Sequence, residues 1–153
     1  MEKVKIFAKS EVDLVHKIGV YAYTLYGYPD QISNAKPFKS GIKTMTHADC
    51  MAFVNALHIL SNLPCAPEIV ELEIVTDSSK VAKLILEGIG EKHCEESAKH
   101  WIETVKPKFT NLQRITMIKS DRKGTGKADN LSVLKILKDR AYIELSKIKD
   151  WAA

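Results

Sequence analysis

Three aspartates stand where carboxylates from different parts of a chain can meet. Asp49 lies near the start of an amphipathic stretch, Asp77 ends an apolar run, and Asp129 precedes a second amphipathic stretch. Carboxylates that converge repel one another unless cations neutralise them, so such a cluster normally holds hard divalent ions such as Mg²⁺ or Mn²⁺. The three aspartates are therefore candidate metal ligands if the fold brings them together.

Each aspartate also has a purely structural interpretation. Asp49 follows Thr46 by three residues, which is the position of the acid in a helix capping box. Asp77 and Asp129 each precede a helical pattern and suit the N-cap position. Only the joint pattern favours a functional site.

Periodicity predicts the elements that would position these residues. Strands are predicted over 3–9, 18–27, 68–77 and 112–119, with a weaker third strand within 38–45 and turn chemistry over 28–37. Helices are predicted from an N-cap at Thr46 to Asn62, over 78–87 before Gly88, over 95–106 before Pro107, and from about Ala128 to Trp151.

The element order β-β-β-α-β-α-α-β-α predicts a single α/β domain over residues 1–153. The first three strands can form an antiparallel meander, whereas the later strands, each reached through a helix, should run parallel to the first. The expected architecture is a five-stranded mixed sheet with helices on both faces, in which strands one and four are neighbours.

Composition and charge narrow the function classes. No apolar run approaches the roughly 20 residues that span a bilayer, and charged residues within the first 22 argue against a signal peptide. Three cysteines without metal spacing are typical of reduced thiols in a cytoplasmic protein. Residues 1–100 hold 11 Lys and Arg against 13 Asp and Glu, whereas residues 101–153 hold 12 against 6. This asymmetry indicates either a polyanionic partner or a solvated helix face.

Taken together, these segments resemble the ribonuclease H family over essentially the full chain. "VKIFAKSE" is similar to the family's first strand, apolar-x-apolar-aromatic-Thr-Asp-Gly-Ser, and "IGVYAYTLYG" to its glycine-rich second strand. "THADCMAFVNALHIL" resembles the first family helix, and "IVTDSSKVAKLI" resembles the Thr-Asp-Ser segment. "KADNLS" resembles the start of the last helix, and Trp101 stands where the family often has tryptophan.

The resemblance implies a fold and a chemistry. The family hydrolyses the RNA strand of an RNA–DNA hybrid with two Mg²⁺ ions that four carboxylates hold. By resemblance, Asp77 and Asp129 match two of these carboxylates, and Asp49 takes the position of a glutamate. The position of the first carboxylate holds Lys9 instead.

Lys9 changes what such a site can do, because an ammonium group in place of an anion opposes the binding of a second dication. Lys9 could pair internally with Asp77 and Asp49, which would give a metal-free pseudo-active site, or extend into solvent. Glu11, two residues along the same strand, could supply a substitute acid. The family often carries a histidine in the loop before the last helix, whereas the five histidines here all precede residue 101.

The first hypothesis is therefore a ribonuclease H-like domain that binds nucleic acid and has weak or lost hydrolysis. The residues expected to contact phosphate are Lys119, Arg122, Lys123, Gly124, Gly126 and Lys127. The alternatives are an active divalent-metal-dependent nuclease, which would use the three aspartates and Glu11, and a non-catalytic protein-interaction module.

Overall fold

The computed structural model describes residues 2–28, 30–120 and 130–152. The strands are β1 (Lys3–Asp13), β2 (Ile18–Tyr28), β3 (Asp30–Pro37), β4 (Glu71–Val75) and β5 (Arg114–Ile118). The helices are α1 (Met45–Ser61), α2 (Ser79–Glu87), α3 (Glu95–His100) and α4 (Asn130–Ala152). This is the predicted element order.

The five strands form one sheet in the order β3-β2-β1-β4-β5. β1 pairs antiparallel with β2, and β2 pairs antiparallel with β3. β4 runs parallel to β1, and β5 runs parallel to β4. The predicted mixed sheet, with strands one and four as neighbours, is confirmed.

Alternation along β1 divides the hydrophobic core between the two faces of the sheet. Val4, Ile6 and Ala8 belong to the core cluster that contains the buried residues of α1 and α2. Phe7 belongs to a second cluster with Val75 and the apolar side of α4. Side chains at successive strand positions point to opposite faces, so α4 covers one face and the other three helices cover the opposite face.

The third strand was predicted in the wrong place. β3 is Asp30–Pro37, within the stretch expected to be a turn, and the described part of residues 38–45 holds no strand. Its sequence is mostly polar, but the strand lies at the sheet edge and pairs with β2 from Val20–Pro37 to Leu25–Ile32. Pairing with a strong apolar neighbour, and not intrinsic β propensity, therefore makes this segment a strand.

Helix boundaries follow local signals, with two corrections. α1 is capped by Thr44 and not by Thr46, since the Thr44 side chain accepts the His47 N–H at 3.0 Å. α2 ends at Gly88, whose φ of 71° is the left-handed conformation that glycine favours. α3 is shorter than predicted, because Trp101–Val105 forms a wider helical turn and Lys106–Lys108 a tighter one.

Trp101 fixes α3 to the rest of this layer. Its side chain is fully buried, and its indole N–H donates to the Ile85 carbonyl at 3.0 Å. Cys50, Cys65 and Cys94 are buried free thiols. No helix within the described part of the chain is long and apolar enough to cross a membrane.

Candidate functional site

Lys9 lies where β1 loses one of its two neighbours. β1 was expected to end at this lysine, but it continues to Asp13 because β2 pairs with it as far as Ile18. β4 ends at Val75, so the last β1–β4 pair is Phe7 with Val75. The half-buried Lys9 side chain therefore stands just beyond the carboxyl end of the shorter strand, where α/β sheets commonly build sites.

Asp49 reaches the same place from α1. The Ser10 hydroxyl donates to Asp49 Oδ1 at 3.3 Å, which ties the helix to β1 beside Lys9. Burial raises the pKa of the Asp49 carboxyl, while the Ser10 hydrogen bond and the positive charge of Lys9 oppose that rise. The capping-box interpretation of Asp49 is wrong because Thr44 is the N-cap, so the third residue after the cap is His47.

Asp77 follows β4 and is not a helix cap, contrary to its structural interpretation. Ser78 takes that role, because its hydroxyl accepts the Val81 N–H at 3.2 Å. The Asp77 carboxylate instead accepts two hydrogen bonds from Ser120, one from the backbone N–H at 2.9 Å and one from the side-chain hydroxyl. These bonds lower the pKa of Asp77, and the charges of Lys9 and Lys119 add to the effect.

Ser120 is a site residue that the sequence reasoning missed. It is 7% exposed and lies two residues after β5, which is the neighbour of β4. The available signal was its position, because residues that follow adjacent parallel strands emerge at the same edge of a sheet. Ser120 fixes the orientation of the Asp77 carboxylate and uses both of its oxygens.

These residues surround a cavity of about 270 Å³. The lining consists of Ala8, Lys9, Asp49, Phe53, Val75, Thr76, Asp77, Ser78, Ser120 and Leu134. The structure thus brings Lys9, Asp49 and Asp77 together, and their roles as site residues stay predictions.

Lys9 acts on the two aspartates without forming a salt bridge to either among the described residues. Among the described residues, no carboxylate oxygen lies within 4.0 Å of the Lys9 ammonium, so the internal ion pair is not formed in this structure. Its charge nevertheless stabilises the ionised forms of both Asp49 and Asp77. The two carboxylates therefore share one cation that belongs to the protein itself.

The other predicted site residues divide into two groups. Glu11 is half-buried in β1 opposite Val20 of β2 and does not line the cavity, and Lys119 is exposed directly after β5. Asp129 and the predicted phosphate contacts Arg122, Lys123, Gly124, Gly126 and Lys127 lie outside the described residues.

The donor set of the described residues does not fit a pair of divalent cations. Within ranges 2–28, 30–120 and 130–152, no three His, Cys, Asp or Glu side chains form a group that could hold a metal ion. The cavity offers two carboxylates, one of which is engaged by Ser120, together with a lysine. Hard dications need several oxygen ligands and are repelled by an adjacent ammonium group.

Solved structures with the same architecture identify the fold. LC11-RNase H1, isolated from compost by a metagenomic approach, superposes with a TM-score of 0.64 at 13% identity, covering 95% of this chain and 99% of that one. The N-terminal RNase H domain of a Mycobacterium tuberculosis protein gives a TM-score of 0.56 at 14% identity, covering 92% and 99%. LC11-RNase H1 in complex with an RNA/DNA hybrid gives 0.56 at 12%, covering 76% and 83%.

The chain therefore has the ribonuclease H-like fold, which confirms the resemblance noted in the sequence. No protein-family model and no curated protein matches the sequence.

Proposed function

We propose that this chain is a nucleic-acid-binding domain of the ribonuclease H-like fold in which hydrolysis of RNA–DNA hybrids is weak or lost. The observation that carries the proposal is the placement of Lys9 in one cavity with Asp49 and Asp77. By the family resemblance, a carboxylate belongs at the position of Lys9.

Electrostatics supports the loss of hydrolysis. Exchanging a carboxylate for an ammonium group raises the formal charge of the cavity by two units, which opposes a second dication. Hydrolysis by two metals requires both ions, because one stabilises the attacking oxygen and the other the leaving oxygen. The lysine instead neutralises part of the charge that the two aspartates carry.

The basic C-terminal segment and the ribonuclease H-like fold both support the binding of nucleic acid. The segment 101–153 holds 12 Lys and Arg against 6 Asp and Glu, and the exposed Lys119 stands at the cavity edge, where its charge reaches Asp77. LC11-RNase H1, which shares the fold, has been crystallised with an RNA/DNA hybrid. We infer that Lys119 makes mainly phosphate contacts, and the basic residues predicted from the sequence between 121 and 127 stay candidates for the same role.

Binding is tested with fluorescently labelled RNA–DNA hybrid, double-stranded RNA and single-stranded DNA across a salt series. We expect saturable binding whose logarithm of affinity falls linearly with the logarithm of salt concentration. Lys119→Gln should weaken binding to all three, while Lys83→Gln, an equal change at an exposed site in α2, should not. Binding that is undetectable even at low salt would leave the non-catalytic protein-interaction module as the better hypothesis.

Hydrolysis is tested on the labelled hybrid with Mg²⁺ and with Mn²⁺. We expect either no cleavage or slow metal-dependent cleavage that Lys9→Asp accelerates, whereas cleavage that Asp77→Asn retains comes from a contaminant. Metal-dependent cleavage that Asp77→Asn abolishes and that Lys9→Asp does not accelerate would instead establish the active nuclease and refute the degenerate site.

A further inference from the structure

A second cavity, of about 610 Å³, lies on the α1 face of the sheet. It is separate from the cavity of about 270 Å³ that Lys9, Asp49 and Asp77 line, which we call the Lys9 pocket. It is lined by Tyr21, Lys36, Pro37, Lys39, Ser40, Met51, Asn55, His58, Ile59 and His100. Its volume falls within the range of roughly 300–1,000 Å³ that is typical of small-molecule sites. The lining shares no residue with the pocket around Asp77.

Four elements, namely α1, β2, β3 and α3, and the segment after β3 build this second cavity. The spacing of Met51, Asn55, His58 and Ile59 places these side chains along one face of α1. Tyr21 of β2 pairs in register with Lys36 of β3, so the end of β3 and the segment after it stand beside that face. These lining elements bring apolar side chains, aromatic rings and cations into one space.

The cations around this cavity have no anionic partner within the part of the chain that the structure describes. Lys36 and Lys39 line it, and Lys108 lies close enough for its charge to act on His58. Among the described residues, none of these three lysines has a carboxylate oxygen within 4.0 Å, and the lining contains no Asp or Glu. Positive charges that face a common space without counter-charge favour the binding of an anion.

A hydrogen-bonded relay orients the two histidines. The Lys108 ammonium donates to Asn62 Oδ1, and the Asn62 amide lies 3.2 Å from His58 Nε2. His58 Nδ1 lies 3.0 Å from His100 Nε2, with the two rings stacked at a centroid distance of 5.0 Å. Because lysine can only donate, Asn62 Oδ1 accepts and the Asn62 amide N–H donates to His58 Nε2. The neutral His58 then carries its proton on Nδ1 and donates to His100 Nε2, so the neutral His100 carries its proton on Nδ1.

The protonation of His58 is sensitive to the same charges. Burial lowers the pKa of His58, and the neighbouring His100, Lys108 and Lys39 lower it further. These are groups from α3, from the turn that follows it, and from the segment before α1. A bound anion would oppose the contribution of the cations and raise the pKa of His58.

We propose that this second cavity binds an organic phosphate of mononucleotide size, with the phosphate between Lys36 and Lys39. The His100 N–H and the Ser40 hydroxyl add hydrogen-bond donors for phosphate oxygens. Met51, Ile59 and Pro37 offer apolar contact to the remainder of the ligand. The phosphate has two sources of identical chemistry: a free mononucleotide, or a nucleotide within a nucleic-acid strand.

The test uses AMP as the probe and adenosine as its uncharged counterpart, with binding followed by calorimetry and by the NMR signals of His58 and His100. We expect AMP to bind at least about tenfold more tightly than adenosine, since the phosphate provides the charge-assisted hydrogen bonds. AMP should also raise the measured pKa of His58. Equal affinities for AMP and adenosine, or no saturable AMP binding, would overturn the proposal.

The double variant Lys36→Gln/Lys39→Gln should weaken AMP binding at least about tenfold, because it removes both charged donors. The matched control Lys83→Gln/Lys92→Gln makes the same charge change at exposed residues outside the cavity and should retain wild-type affinity. Equal losses of AMP affinity in both double variants would show that net charge alone causes the effect, and would overturn the proposal.

A DNA hexamer without terminal phosphates separates the two sources. A free mononucleotide is the ligand if the hexamer fails to displace AMP, and a strand is the ligand if the hexamer competes and its binding also depends on Lys36 and Lys39. Neither result depends on Lys9, so this proposal and the proposed function can fail separately.

Discussion

The substitution Lys9→Asp examines the electrostatic reasoning about the Lys9 pocket directly. It places a third carboxylate beside Asp49 and Asp77 and lowers the formal charge of the cavity by two units. Asp77 is exposed whereas Asp49 is half-buried, so a dielectric close to that of water gives the lower limit of the effect. Two unit charges acting on a dication about 6 Å away then contribute roughly 3 kcal/mol, or about a hundredfold in affinity.

Salt reduces this effect. At physiological ionic strength the Debye length of about 8 Å approximately halves an interaction over about 6 Å, which leaves roughly tenfold. We therefore expect Lys9→Asp to bind Mn²⁺ about 10 to 100 times more tightly than the wild-type chain, with the larger factor at low salt.

Thermal unfolding with Mn²⁺ and with EDTA measures the change. A ligand at 100 times its dissociation constant stabilises a protein by about 2.7 kcal/mol, which corresponds to roughly 5–10 °C in Tm for a chain of this size. We expect that shift for Lys9→Asp, whereas a wild-type chain that binds Mn²⁺ about 10 to 100 times more weakly should gain only about 0.4–1.4 kcal/mol at the same concentration, or roughly 1–5 °C in Tm. In EDTA the variant should melt below the wild type because three carboxylates then lack a cation.

Lys5→Asp is the matched control, since Lys5 is also half-buried and lies four residues earlier on the same strand. It makes the same charge change away from the two aspartates and should show no more Mn²⁺-dependent stabilisation than the wild-type chain. The reasoning is refuted if the wild type is stabilised as strongly as Lys9→Asp, or if both variants respond equally.

Three further predictions concern the layer that carries α1. Trp101→Phe should destabilise the fold by about 2–4 kcal/mol in urea unfolding, because it leaves the Ile85 carbonyl without its donor and opens a void of roughly 40 Å³. Gly88→Ala should cost about 1–2 kcal/mol in the same assay, because φ is 71° and a Cβ would lie 2.9 Å from Ile102. His58→Gln should flatten the pH dependence of stability below about pH 6.5.

The sign of the histidine effect follows from proton binding. The folded-state pKa of His58 is lowered, so the unfolded chain binds more protons as pH falls through about 6.5, and stability is lost in that direction. Urea unfolding at several pH values measures this slope, and an identical slope in His58→Gln would contradict the assignment.

Two variants serve as controls for the stability predictions. Tyr142→Phe removes a polar group from an exposed aromatic residue of α4 and should change stability by less than about 0.5 kcal/mol. Gly41→Ala places its Cβ no closer than 3.8 Å to other atoms and should be nearly neutral. A Gly41→Ala cost equal to that of Gly88→Ala would show that left-handed geometry is not the cause.

Local signals determined most of the architecture. The period-2 pattern of β1, the helical spacing in α1 and the glycine after α2 are properties of short windows, and the structure confirms the elements that they predicted. β3 was missed because its residues are mostly polar, and its strand conformation depends on the ladder with β2. The partner strand is adjacent in the chain, but the residue pattern of β3 itself carries no signal of the ladder that makes it a strand.

The candidate site divides in the same way. The sequence by itself indicated Lys9, Asp49 and Asp77, since each holds a recognisable place in an element, and it indicated Asp129, which stays a prediction. Only the tertiary structure decided that Ser120 takes both oxygens of Asp77, that Lys9 acts on two carboxylates without a salt bridge among the described residues, and that His58 meets His100. Hydrogen bonds and electrostatic fields depend on distances through space, and these distances are set by how the sheet and its helices pack.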